Sequence, residues 1–217
     1  NSIGNLTTTL SDMVIGAGQL GCGYEATNEA WYRFLVEPDP HKTVALENNA
    51  AVLKGTDDVL LKQRADFLRP DSLLLVLVLS DENDCSIRDG GQFFFAAQIY
   101  QPGTNNPYHL PKPRAACAAD PNSVCCRSCG QGPGSGCDDT KDDCGGSLGS
   151  LEDQINVRCF DQKRRFGIDF LQPVERYASG LRDKEVADRH GNLVANPLFS
   201  DLDPTDDIST IRGPGLV

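Results

Sequence analysis

The sequence predicts an α/β fold, a mostly parallel sheet covered by helices, on three observations. The unbroken apolar run Leu73-Leu74-Leu75-Val76-Leu77-Val78-Leu79 has the length and composition of a strand buried on both faces. Stretches of helical periodicity lie on both sides of it. The acidic segment Ser80-Asp81-Glu82-Asn83-Asp84-Cys85-Ser86 follows at once, where the carboxyl end of a sheet strand presents ligand-binding groups.

Taken in order, Ile3, Leu6, Leu10, Met13 and Val14 recur at helical spacing, and a glycine-rich break follows over 16–23. Ala26, Ala30, Trp31, Phe34 and Leu35 mark a second helix within 24–36, stopped before Pro38 and Pro40. Residues 43–67 mix helix formers with Asn48, Asn49 and Gly55, and Thr56-Asp57-Asp58 offers a cap for a helix carrying Val59, Leu60, Leu61 and Phe67. After the apolar run, 91–100 reads as a short strand or a helical turn. From Gln101 to Cys159 the composition shifts to Pro, Gly, Asp and Cys, which predicts a loop-rich insertion ordered by covalent staples. A helix over 173–181 has Pro173 at its first turn and Tyr177 facing inward, and 192–214 reads as loop. The expected organisation is a core over 1–100, an insertion over 101–159 and the remainder of the domain over 160–217.

Composition bounds the function. A formal net charge of -11, with no basic run longer than Lys163-Arg164-Arg165, argues against nucleic acid, because phosphate binding needs clustered Lys and Arg. Nine cysteines are too many for a reduced cytosolic chain of 217 residues and point to an oxidising compartment. The odd number leaves one thiol free or paired outside this sequence. No stretch reaches the roughly 18 apolar residues of a membrane span. Asn1 to Leu10 lack a signal-peptide pattern, so an export signal is expected to have been removed or to lie upstream, and the apolar end Gly215-Leu216-Val217 suggests a piece of a larger protein.

Chemistry-bearing patterns are few. Cys126 and Cys129 have zinc-knuckle spacing, with Cys137 and Cys144 as further thiolates, but disulfides are the alternative that an exported protein favours. His41, His109 and His190 lie in separate loop-like stretches, and no nucleophile elbow, zinc-protease helix or phosphate-binding glycine loop occurs. Asp81, Glu82, Asp84 and Ser86 offer the oxygen ligands that Mg²⁺ or Ca²⁺ prefers. Asp138, Asp139, Asp142 and Asp143 form a second acidic run and Asp201, Asp203, Asp206 and Asp207 a third, neither with EF-hand spacing.

Gly21-Cys22-Gly23-Tyr24-Glu25, Phe67-Leu68-Arg69-Pro70-Asp71 and the apolar run ending in Ser80-Asp81-Glu82-Asn83-Asp84-Cys85-Ser86 are similar to the von Willebrand A-like domains of secreted proteins and lipoproteins in myxobacteria and related bacteria. So are the stretch from Arg158 to Phe170 and Asn196-Pro197-Leu198-Phe199. The resemblance implies a doubly wound fold of Rossmann-like topology, with a metal-ion-dependent adhesion site built from three loops at the carboxyl edge of the sheet. It makes Asp81 the third-loop ligand, with Glu25, Thr27 and Asp84 as further candidates. The first-loop Asp-x-Ser-x-Ser is absent, so bound Mg²⁺ or Ca²⁺ is conditional on an upstream segment that also supplies the first strand. The resemblance further implies a Cys22–Cys85 disulfide across the second and third loops; the pairing of Cys117, Cys125, Cys126, Cys129, Cys137, Cys144 and Cys159 stays open.

The function expected is a binding or adhesion module of the bacterial cell surface, periplasm or extracellular space, taking a protein or surface ligand and catalysing nothing. Two alternatives remain: a structural part of a surface assembly with a degenerate ion site, and a metal-dependent hydrolase with a water activated on the same acidic cluster.

Overall fold

A computed structural model describes residues 3–18, 21, 23–48, 50–90, 92–203, 205 and 211–213. Helix α1 (Ile3–Ala17) carries the expected apolar periodicity, yet Leu6, Leu10, Met13, Val14 and Ile15 are all exposed. Helix α2 (Thr27–Leu35) buries Tyr32 and Leu35. Its last carbonyls are satisfied by Arg64, which donates to Arg33 O, Phe34 O and Glu37 O at 2.9, 2.6 and 2.7 Å. Burial lowers the Arg64 pKa to about 10, so the guanidinium stays charged at neutral pH. Arg64 belongs to α3 (Asp58–Phe67), which the cap at Asp57 starts as expected: Asp57 Oδ1 accepts from Leu60 N at 3.1 Å.

Between α2 and α3 the chain forms an antiparallel hairpin, β1 (Thr43–Glu47) with β2 (Ala50–Lys54), in place of the mixed helical composition read there. Asn48 takes a left-handed φ of 50° in its turn, a conformation asparagine tolerates. Of the two readings for the short stretch after the apolar run the helical one holds, with α4 spanning Gln92–Ala97. Short helices α5 (Ala116–Ala119) and α6 (Gln162–Phe166) follow, and then α7 (Val174–Arg182), with Tyr177 buried as expected. The stretch read as a terminal loop holds β4 (Leu193–Ala195), paired with β3 (Glu185–Ala187), and a 3-10 turn at Pro197–Phe199.

The expected doubly wound, mostly parallel sheet is not what the chain forms. Among the described residues the sheets are two separate antiparallel two-stranded hairpins, β1 with β2 and β3 with β4. Residues 73–79 lie in no sheet; their burial runs exposed, buried, exposed, half-buried, exposed over 73–77, the period of extended chain. Leu74 and Val76 join a core with Tyr32, Val36, Tyr177, Val186 and Leu198, whereas Leu73, Leu75, Leu77 and Leu79 are 71, 77, 72 and 84% exposed. An apolar run becomes a central strand only when neighbours pair with both its edges, and no other segment described here does so.

A second core gathers Cys85, Ala96, Leu110, Cys159, Phe166 and Phe170, with Tyr24, Ile87 and Ile168 against it. It draws on residues before, within and after 101–159, so that stretch is packed into the molecule. At its centre Arg158 and Asp153, both fully buried, form a bidentate pair at 2.7 Å. The same guanidinium donates to Ala96 O, Gln98 O and Tyr108 O. Leu110 N donates to Asp153 at 2.8 Å, so one ion pair ties four stretches of backbone together.

Four disulfides complete the frame: Cys85–Cys159, Cys117–Cys126, Cys125–Cys137 and Cys129–Cys144. The thiolates offered for zinc are therefore consumed in sulfur–sulfur bonds, as the disulfide alternative had it. Cys85 is paired with Cys159, at a Cα–Cα distance of 5.4 Å, which corrects the expected Cys22–Cys85 bond; Cys22 lies outside the described residues. The physical reason is that the turn after the 3-10 helix Ile155–Val157 carries Cys159 beneath the acidic loop.

Candidate functional site

Two of the loops expected to meet do meet. Cys85 N donates to Glu25 O at 2.8 Å, which lays the acidic loop along the start of α2. Asp84 then serves the helix: its Oδ1 accepts from Asn28 N at 2.9 Å and from Ser86 Oγ at 2.8 Å, and its Oδ2 from Ser86 N at 3.2 Å. Ser86 Oγ accepts from Glu29 N at 3.0 Å. The second residue of α2 and its successor thus find their acceptors on the neighbouring loop, since Ala26 at the N-cap has no acceptor side chain.

This engages the Asp84 and Ser86 oxygens that sequence reasoning offered to an ion. Asp84 is a helix anchor, Thr27 opens α2, and the Glu25 side chain is exposed. Asp81 is also exposed, on a cleft of ≈ 230 Å³ shared with Glu82, Asn83, Asn156 and the Cys85–Cys159 bridge. Among the described residues no three His, Cys, Asp or Glu side chains group closely enough to hold a metal. Asp84 is thus taken up within the chain while Asp81 and Glu25 stay exposed, and nothing below is routed through a metal ion. Asp138 accepts from Thr140, Asp142 and Asp143 bond Arg114 and Lys112, and Asp203 accepts from Thr205, which makes these further acidic runs loop fasteners. Asp206 and Asp207 lie outside the described residues.

The densest charge cluster was missed by sequence reasoning, although Glu29, Arg33 and Glu37 recur every four residues along one side of α2 and beyond its end. Arg176 of α7 bonds Glu29 at 2.8 Å and Glu37 at 2.5 Å, and lies 3.8 Å over the Tyr32 ring. Burial pushes the Glu37 pKa up against the pull of Arg176. The adjoining cleft of ≈ 290 Å³ also holds His41, whose Nδ1 lies 3.1 Å from Arg33, and Arg189, which bonds Asp39 at 2.6 Å. Burial and then Arg33 lower the His41 pKa. All three guanidinium groups here are engaged by the chain's own carboxylates or carbonyls, so the cluster locks α2, α7 and the two hairpins together.

Besides the apolar residues of α1, the molecule presents the leucine run outward. Residues 73–79 carry four strongly exposed leucines in a stretch without charge, bracketed by exposed Asp71 on one side and exposed Asp81 and Glu82 on the other. Soluble proteins seldom leave contiguous apolar surface of this kind uncovered. No helix among the described residues is long and apolar enough to cross a membrane. No protein-family model, curated protein or solved structure matches the chain, so the von Willebrand A-like resemblance rests on its motifs alone.

Proposed function

We propose that this chain is a protein-binding module of an exported protein, with the exposed ribbon 73–79 as its contact surface. The observation that carries the reading is the exposure of Leu73, Leu75, Leu77 and Leu79 while Leu74 and Val76 anchor the same ribbon to the core. Apolar surface of this extent is the usual mark of an interaction site. The four disulfides support an oxidising location, where such bonds persist. Binding on this reading needs no metal ion, and the acidic flanks act by charge.

A photo-reactive residue placed at Leu77 in the producing cell tests this. The expected result is a discrete protein adduct, absent when the same group replaces Leu151, which is 88% exposed within the stapled region. The same adducts at both positions, or none at Leu77, would overturn the reading.

A further inference from the structure

Given that binding reading, the ribbon's backbone says what kind of chain it takes. Among the described residues, no N–H or C=O of residues 73–79 is hydrogen-bonded. A partner that covers the leucines takes water away from those groups, and each amide left unpaired is then destabilising. A helix laid on the ribbon would cover side chains and leave the backbone row unpaired. An added strand satisfies both, because its own N–H and C=O alternate at the same spacing.

Charge narrows the partner further. Asp71, Asp81 and Glu82 are exposed, and among the described residues none of the three carboxylates has a hydrogen-bonding or ion-pair partner. Pairing two copies antiparallel about Val76 sets Asp71 against Asp81, and pairing them parallel in register sets each carboxylate against its twin. Like charges directly opposite destabilise a strand pair, so a second copy is a poor occupant.

We infer that the 73–79 ribbon accepts a β-strand from a partner protein, apolar at alternate positions and bracketed by Lys or Arg, which completes its unpaired backbone and meets Asp71, Asp81 and Glu82.

The test uses the full chain and the peptide acetyl-Lys-Thr-Val-Thr-Leu-Thr-Val-Lys-amide, with affinity read by calorimetry at low salt. Saturable one-to-one binding is expected. N-methylation of the three central peptide residues, which removes donors on both edges, should weaken it at least tenfold, as should exchanging both lysines for glutamates. The variant Leu77→Pro, which deletes one exposed amide, should lose the peptide while keeping its thermal midpoint. Asp81→Asn with Glu82→Gln should reduce the preference for lysine over glutamate ends. Undiminished binding of the N-methylated peptide, or no binding of the parent peptide, overturns the strand inference while the cross-link at Leu77 separately decides whether the surface binds protein. Equal affinity for both charge versions overturns the charge bracket. A dimer in sedimentation that Leu77→Pro abolishes would make a second copy the occupant and overturn the partner assignment.

Discussion

Arg158 and Asp153 are fully buried, so the two charges rely on each other and on protein groups around them, among them the Ala96, Gln98 and Tyr108 carbonyls and the Leu110 amide. Removing one partner strands the other: Arg158→Ala should cost about 3–5 kcal/mol in chemical denaturation. Replacing both with Met and Leu should cost clearly less. Gly167 is a second fixed point. Its φ of 62° is left-handed, and a Cβ there would fall on the backbone of Arg127 and Ser128, so Gly167→Ala should destabilise more than Gly136→Ala, where φ is 74° and the space is open. Asp142 gives a pH dependence. The Ala115 N–H and Arg114 hold its pKa below the ordinary carboxylate value. Its contribution is present above about pH 4 and is lost as pH falls through the depressed value. The protection factor of the Ala115 amide should therefore fall in acid, and Asp142→Ala should lower it at neutral pH already. The pairing of Asp142 with Arg114 was illegible in the sequence, since 28 residues separate them.

At the scale of elements, α2, α3 and α7 were legible because periodicity, a cap and a proline are all local signals. Asp57→Ala should cost about 1 kcal/mol, read as a shift in denaturation midpoint. The β1–β2 hairpin was not legible: Val44 and Leu46 sit on an exposed strand, so burial imposes no clear alternation on the sequence. The role of Asp84 was hidden for a related reason. Asp84 has the composition of an ion ligand, but its carboxylate faces the amide of Asn28, 56 residues away. What remained true of the acidic segment was its place, beside the start of α2 and at the end of the leucine run.

For the whole molecule, the Cys85–Cys159 bridge closes a loop across 74 residues and joins the acidic loop to the stapled region. Chain entropy gives such a closure about 4 kcal/mol. The double variant Cys85→Ser with Cys159→Ser should lower stability by an amount of that order, and non-reducing peptide mapping should recover the four pairs described. Cysteine content alone determined that the chain is disulfide-built, and local spacing determined most of its helices. Only the tertiary structure decided which cysteine meets Cys85, that Asp84 anchors a helix, and that the leucine run pairs with no other strand among the described residues. Propensity, capping and periodicity act within a few residues, whereas a disulfide partner, a buried ion pair and the pairing of a strand depend on segments far apart in the chain, whose meeting no local pattern records.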